Sequence, residues 1–272
     1  MERQLKKLIT YFLFFGILLF PILLFAIPAS HHWRPSKIYI DTNLYYGSVN
    51  GFAQTPSGGS PGTSSNERPT LDELGIDHTL FYDCLIGSQW QRFGLYGGYQ
   101  RIRPNGTSTL STTLVTHGIT IPAGTAGNSD LQFDWYRVGG GYDFYFHKLT
   151  LTPEIELAYL KFSYLLNYGS ATKRSYSPAT MRVGLNSLYQ FNSHIALNIT
   201  AVTSTYLTAL NITDLQARMK FKILQHRSFA TTFFVGTGYT RISFKDKQPL
   251  PNHVLFNTGL LATTGLEFSF GG

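Results

Sequence analysis

His253–Phe270, HVLFNTGLLATTGLEFSF, is the stretch whose reading decides the fold. Taken two residues at a time, Val254, Phe256, Thr258, Leu260, Ala262, Thr264, Leu266, Phe268 and Phe270 share one face. His253, Asn257, Gly259, Thr263, Gly265, Glu267 and Ser269 share the other. A period of two belongs to a strand and not to a helix. Strands in globular sheets usually run about 3–10 residues. One this long, apolar on one side and polar with glycines on the other, suits a wall between lipid and a polar lumen.

The same alternation recurs upstream. It predicts strands over 37–49, 76–88, 91–102, 130–146, 149–165, 179–191, 194–208, 214–223 and 229–239, and so ten in all with the closing one. Links are long after the first and third strands and short after every even-numbered one. That asymmetry matches tight periplasmic turns and longer extracellular loops. The expected fold is therefore all-β, an antiparallel up-and-down transmembrane β-barrel of ten strands, with eight as the alternative count. The segments at about 51–75 and 103–129 are rich in Ser, Thr, Gly and Pro and read as mobile loops. Gly139-Gly140-Gly141 reads as a bulge or bend. A soluble β-sandwich would need shorter strands and a more charged exposed face.

Composition agrees with a wall that meets lipid. Of 272 residues, 15% are aromatic and only 14% charged. The single Cys84 forms no intramolecular disulfide and reads as a small apolar residue. Residues 1–29 have the layout of a signal peptide: Arg3, Lys6 and Lys7, then an apolar run from Leu8 to Ile27, then the small residues Ala26 and Ala29. The domain expected to remain spans 30–272. Removing the leader, which holds three cations against Glu2 (net +2), takes the formal charge from +7 to +5. No basic run concentrates that excess, which excludes a nucleic-acid footprint; the charge suits anions or the acidic face of lipopolysaccharide.

The closing strand, with Leu266, Phe268 and Phe270 at alternate positions, resembles the terminal signal of Gram-negative outer-membrane β-barrel proteins. The resemblance implies residence in the outer membrane, contact with lipopolysaccharide, and delivery by the barrel-assembly machinery. Here Gly271 and Gly272 follow the last aromatic, where that family ends on it.

If polar faces point inward, the lumen holds Arg92, Arg182, Arg218, Lys220 and Lys222 against Asp83, Asp134, Glu154, Glu156 and Glu267. A barrel of eight to ten strands is nearly filled by its own side chains, so these charges must pair. The leading expectation is a non-enzymatic structural or surface-interaction protein with a filled lumen and an outside partner at the loops. A narrow anion-tuned channel along Arg218, Lys220 and Lys222 is the alternative. Glu154 and Glu156 lie about 7 Å apart on one face, which suits an ion network better than catalysis. His226-Arg227-Ser228 resembles the His-x-Ser element of barrel lipid A deacylases, and Asp77-His78 the Asp-His element of ten-stranded outer-membrane proteases. Each lacks further partners, so a barrel-embedded hydrolase is a minor reading. No metal-ligand spacing, phosphate loop or dinucleotide fingerprint occurs, and no cofactor is expected.

Overall fold

The computed structural model describes residues 36–54, 68–116, 119–205, 207–247 and 251–271. The expected leader and most of the Ser/Gly/Pro-rich run after Gln54 lie outside these residues. Strands β1 (Lys37–Gln54), β2 (His78–Trp90) and β3 (Phe93–Ile102) come first, followed by β4 (Asn105–Thr109), β5 (Leu114–Thr116) and β6 (Ile119–Ile121). Next are β7 (Ala126–Tyr142), β8 (Phe144–Phe146), β9 (Leu149–Tyr168), β10 (Ser170–Tyr176) and β11 (Ala179–Gln190). The chain ends with β12 (Ile195–Ser204), β13 (Leu210–His226), β14 (Phe229–Lys245), β15 (His253–Thr258) and β16 (Leu261–Phe270).

These pieces build ten antiparallel staves. β3 and β4 form one stave against β7, β8 continues β7 along β9, and β10 and β11 together flank β9. β15 and β16 form the tenth stave, which pairs with β14 on one side and β1 on the other and so closes the ring. Closure satisfies every strand edge at the lipid level, the condition for spanning a bilayer with strands. No helix among the described residues is long and apolar enough to cross a membrane.

One end of the barrel carries tight turns. Gln91, His147 and Arg227 each adopt positive φ there (53°, 52° and 47°), and so reverse the chain in two residues without glycine. At the fourth turn the Asn192 side chain accepts from the backbone N–H groups of His194 and Ile195, at 2.8 and 2.9 Å. The opposite, loop end holds more chain.

The outer wall carries an apolar band between two aromatic levels. Near the turns stand Tyr142, Phe144, Phe146, Tyr189, Phe191 and Phe270; higher up stand Tyr46, Tyr82, Tyr136 and Tyr159, all exposed. From Tyr136 to Phe146 is ten strand positions, about 25 Å of height at a strand tilt of about 40°. That matches the apolar thickness of a bilayer crossed by strands.

Inside, the barrel has two halves. Toward the loop end the lumen is an apolar plug that includes Leu131, Phe133, Phe162, Tyr164, Ile212, Ile242, Val254 and Phe256, each at most 2% exposed. Phe133 meets Phe256 from across the barrel, with ring centroids 4.8 Å apart. Toward the turn end the lumen is polar. A single inward face of β7 shows the switch: Leu131, Phe133 and Trp135 give way to Arg137, then Gly139 and Gly141.

Several expectations need correction. Residues 103–129 are not a plain loop. They contain β4, the β5–β6 hairpin and the start of β7, and Leu110, Leu114 and Ile121 are buried beneath the mouth. Their Thr-rich composition reflects strands whose outer faces meet water, and β-branched Thr suits that. Of 51–75, the first four residues belong to β1, and Leu71 and Leu74, with Ile76 just beyond, fold over the plug. Gly139-Gly140-Gly141 carries no bulge, since pairing with both β3 and β9 runs through it without a shift. The one register shift in the β13–β14 pair falls between Lys222 and Leu224.

The closing stave is also not one continuous face. Val49 pairs with Thr258 and Tyr46 with Ala262, so two residues of β1 face three residues, Gly259 to Leu261. The surplus residue turns Leu260 out, at 79% exposed, while Val254, Phe256 and Thr258 point inward with Leu261 and Thr263.

The mouth segment is held by a capping box at Thr70-Leu71-Asp72-Glu73. The Thr70 backbone N–H donates to Glu73 at 3.1 Å, and the Glu73 N–H donates back to Thr70 Oγ1 at 3.3 Å. Thr112 Oγ1 also donates to Glu73, at 2.6 Å, tying a second mouth segment to the first. Burial pushes the Glu73 carboxyl up, but hydrogen bonds from Thr112 and Thr70 outweigh it and hold it below the ordinary glutamate value. A depressed folded-state pKa adds stability above the unfolded pKa that is lost as pH falls through the folded one. Amide-exchange protection of Leu74 and Gly75, corrected for intrinsic rates, is therefore expected to drop between about pH 5 and pH 3. Glu73→Gln should flatten that dependence; an unchanged profile in the variant would contradict the clamp.

Candidate functional site

The polar half of the lumen gathers the buried charged side chains Asp41, Asp83, Glu156, Arg182, Asp214 and Arg218. Arg182, 1% exposed, donates from one terminal nitrogen to Glu156 and from the other to Asp214. Glu156 also accepts from Tyr96 Oη at 3.1 Å, and Asp214 from Thr240 Oγ1 at 2.8 Å. Arg137 Nη2 reaches both oxygens of Asp83, at 2.7 and 2.8 Å. Arg218 donates to Asn43 Oδ1 at 2.8 Å and lies 3.3 Å from Asp41. Asn43 bridges to Asp41 at 2.8 Å and Asp83 at 3.4 Å, which joins two of these groups into one layer.

The upper side of that layer is aromatic. The guanidinium carbons of Arg137 and Arg182 lie 5.4 and 4.6 Å from the Trp135 ring, and that of Arg218 lies 5.0 Å from Phe234. A guanidinium is weakly hydrated on its faces and can stack while its edge donates. The charged layer thus meets the apolar plug through ring faces, which explains how the lumen changes character within one or two residues of each strand.

Below the layer is a cavity of about 290 Å³, lined by groups that include Tyr39, Tyr96, Asp143, Glu154, Lys220 and Glu267 and reaching the turn-end residues Lys37 and Gln89. Gly139 helps to make this space, because a Cβ there would stand 2.6 Å from the Glu156 Cβ and 2.8 Å from Tyr96. Glu267 holds both Lys220, at 2.7 Å, and Lys37, at 3.0 Å. Asp143 accepts from Gln89, Tyr145 and Thr152. The lining carries four cations (Lys37, Arg137, Arg182, Lys220) and seven carboxylates (Asp41, Asp83, Asp143, Glu154, Glu156, Asp214, Glu267), a formal excess of three negative charges.

Of the residues expected in the lumen, Asp83, Glu154, Glu156, Arg182, Arg218, Lys220 and Glu267 are there; Arg182 touches Glu156 and Lys220 touches Glu267. Lys222 donates to Gln225 at 3.2 Å in the last turns of β13. Arg92 sits in a tight turn, exposed, with its guanidinium 5.7 Å from the Tyr145 ring. Asp134 lies on the outer wall, bonded to Tyr99 at 2.7 Å, Arg101 at 2.8 Å and Gln132. The expectation for Asp134 failed because the lumen is apolar at its level, so the inward face there is Phe133 and Trp135. Arg137 was missed for the same reason. Following the Leu131-Phe133-Trp135 face two residues further would have found it.

The motif candidates are not assembled into sites. His78 stacks on the outward Tyr46 with centroids 5.9 Å apart, and Asp77 is exposed. His226 and Ser228 flank a tight turn, and the Ser228 carbonyl accepts from the Gly271 N–H at 2.7 Å. Among the described residues no group of three potential metal ligands converges. Leu266 and Phe268 are half-buried on the outer wall, and Phe270, 5.2 Å from Phe229, is exposed there.

No protein-family model matches the chain, and no curated protein matches it in sequence. Solved structures do match. The outer membrane protease OmpT from Escherichia coli superposes with a TM-score of 0.55 at 9% identity, covering 89% of this chain and 99% of that one. The outer membrane protein OprG from Pseudomonas aeruginosa gives 0.40 at 9% identity, over 88% and 98% of the two chains. Ail, the attachment invasion locus protein of Yersinia pestis, gives 0.35 at 10% identity, over 86% and 99%. At such identities the likeness concerns the backbone and says nothing of activity. With a closed ring of ten antiparallel staves, an apolar outer band and a side-chain-filled lumen, the chain has the fold of the Gram-negative outer-membrane β-barrel proteins.

Proposed function

We propose that the protein is a sealed, non-enzymatic barrel of the outer membrane that acts through its outer surface, with its turn end toward the periplasm. The observation that carries this is the apolar plug. Phe133 and Phe256 meet from opposite walls, and Tyr176 reaches across to Phe244 at 5.4 Å. Water and ions have no polar path through such a layer. Beneath it, the Arg182, Arg137 and Arg218 groups close the lumen a second time.

The mouth supports a surface role. Leu71, Leu74, Ile76, Leu110, Leu114 and Ile121 anchor its segments from below, each at most 2% exposed. Binding surfaces are commonly carried on loops fixed by a rigid scaffold. A channel reading would need the plug to move, and a hydrolase reading would need a nucleophile and base that His78 and His226 do not supply. The refolded protein, its barrel confirmed by a heat-dependent gel-mobility shift, is expected to stay silent in a planar bilayer under applied voltage. Discrete, salt-dependent current steps would overturn the sealed-barrel reading.

A further inference from the structure

On the outer wall just above the upper aromatic level, two cations stand on either side of a carboxylate that is already fully engaged. Arg101, Asp134 and Lys161 are cross-strand partners in a single row of β3, β7 and β9. The row two positions below, toward the turn end, is Tyr99, Tyr136 and Tyr159, with neighbouring ring centroids 5.0 and 6.2 Å apart. Asp134 is 4% exposed and accepts from Tyr99 Oη, Gln132 and Arg101 Nε. That bond fixes the Arg101 guanidinium on the wall, while its two terminal nitrogens make no hydrogen bond among the described residues. Lys161 is exposed and makes no ion pair among the described residues. Neighbouring Arg103 is different, since Asp130 takes it through two bonds of 3.2 and 2.7 Å.

Strands in a sheet are about 4.8 Å apart, so Arg101 and Lys161 start about 10 Å apart. Both side chains are long enough to converge on one tetrahedral anion between them. Tyrosine rings on a barrel wall mark the depth where acyl chain gives way to headgroup, and cations one step above them stand at headgroup phosphate level.

We infer that Arg101 and Lys161 form a clamp for the phosphate monoester of an anionic lipid in the outer leaflet. The clamp rests on the outer-membrane placement proposed above and adds a specific lipid contact to it. Arg101 supplies a planar two-nitrogen edge and Lys161 a point charge. Asp134 is a positioning residue that holds the guanidinium and keeps the tyrosine row beneath it.

Native mass spectrometry of the refolded protein tests this with bisphosphorylated lipid A and with lipid A stripped of both phosphates. The wild type is expected to retain the first and not the second. Lys161→Gln, which disturbs no bond of the fold, should weaken retention about tenfold, the scale of one charged hydrogen bond, and the double variant R101Q/K161Q should abolish it. Arg241, exposed on β14, serves as the control, and R241Q should change nothing. Equal loss in R241Q and K161Q would overturn the clamp in favour of diffuse basic attraction. Displacement of the lipid by equimolar inorganic phosphate would overturn the lipid assignment. Failure of the wild type to insert into bilayers at all would sink the membrane placement itself, whereas a folded, inserted barrel indifferent to lipid phosphates would sink only the clamp.

Discussion

Replacing Arg182 with alanine is expected to destabilise the barrel by about 3–5 kcal/mol, the range for removing one partner of a buried ion pair. Among the described residues the guanidinium is the only cation bonded to either Glu156 or Asp214, and those carboxylates are 4% and 8% exposed. Without it both charges stay in a lumen whose upper side is Trp135. Tyr96 and Thr240 still donate to them, but neutral donors do not offset the desolvation of two charges. Arg182→Lys should recover part of the loss, because a single ammonium cannot hold two carboxylates with a planar fork. The triple variant R182M/E156L/D214L should come out near the wild type, since removing the whole group removes the desolvation cost with it. Urea unfolding in lipid vesicles, followed by tryptophan fluorescence, measures all three, and Trp135 reports directly on the layer. If R182A and the triple variant lose the same stability, the cost lies in packing against Trp135 and the charge argument fails.

The fold was legible because the outer face obeys one rule along its whole height at the lipid level. Ile38, Leu44 and Tyr46 alternate with Asp41, Asn43 and Tyr45, and every stave repeats this. The candidate site was legible only where the lumen is polar. Glu154, Glu156, Arg182, Arg218, Lys220 and Glu267 could be placed by assuming that polar side chains point inward. Above Trp135 that assumption inverts: the inside is Phe133 and Leu131, and the carboxylate is outside, on Asp134. Polarity alone cannot locate the level at which a lumen changes from polar to apolar, because strand geometry is the same on both sides of it. The mouth was misread for another reason. Thr70 and Glu73 spell a capping box, a local signal that was overlooked because the surrounding composition suggested a featureless loop.

The closing stave yields the sharpest test of register, and it runs against intuition. Deleting Leu260 alone is expected to be tolerated, whereas deleting Thr264 in addition is expected to prevent barrel formation. Both neighbours agree that one residue near Leu260 is surplus. β1 places two residues opposite three between Thr258 and Ala262, and β14 places Tyr239 and Thr240 opposite Thr258, Gly259 and Leu260. Removing Leu260 restores plain alternation with Val254, Phe256, Leu261 and Thr263 still inward. Its side chain is 79% exposed, so little packing goes with it. Removing Thr264 as well has the opposite effect, because no surplus residue is left to absorb the loss and a slip of one residue exchanges the two faces of everything beyond it. Either Val254 and Phe256 leave the plug, each losing about 1.5–3 kcal/mol of burial, or Glu267 turns toward lipid. The second choice breaks the bonds from Lys37 and Lys220 and adds the cost of a charged side chain on the lipid face, up to about 2–4 kcal/mol at the midplane. Refolding yield, read as the fraction of protein with heat-modifiable gel mobility, separates the cases. A ΔLeu260 protein that folds beside a ΔLeu260/ΔThr264 protein that does not would show that the stave holds one surplus residue and no more; equal behaviour of the two would mean that the inward assignment of Val254 and Phe256 is wrong.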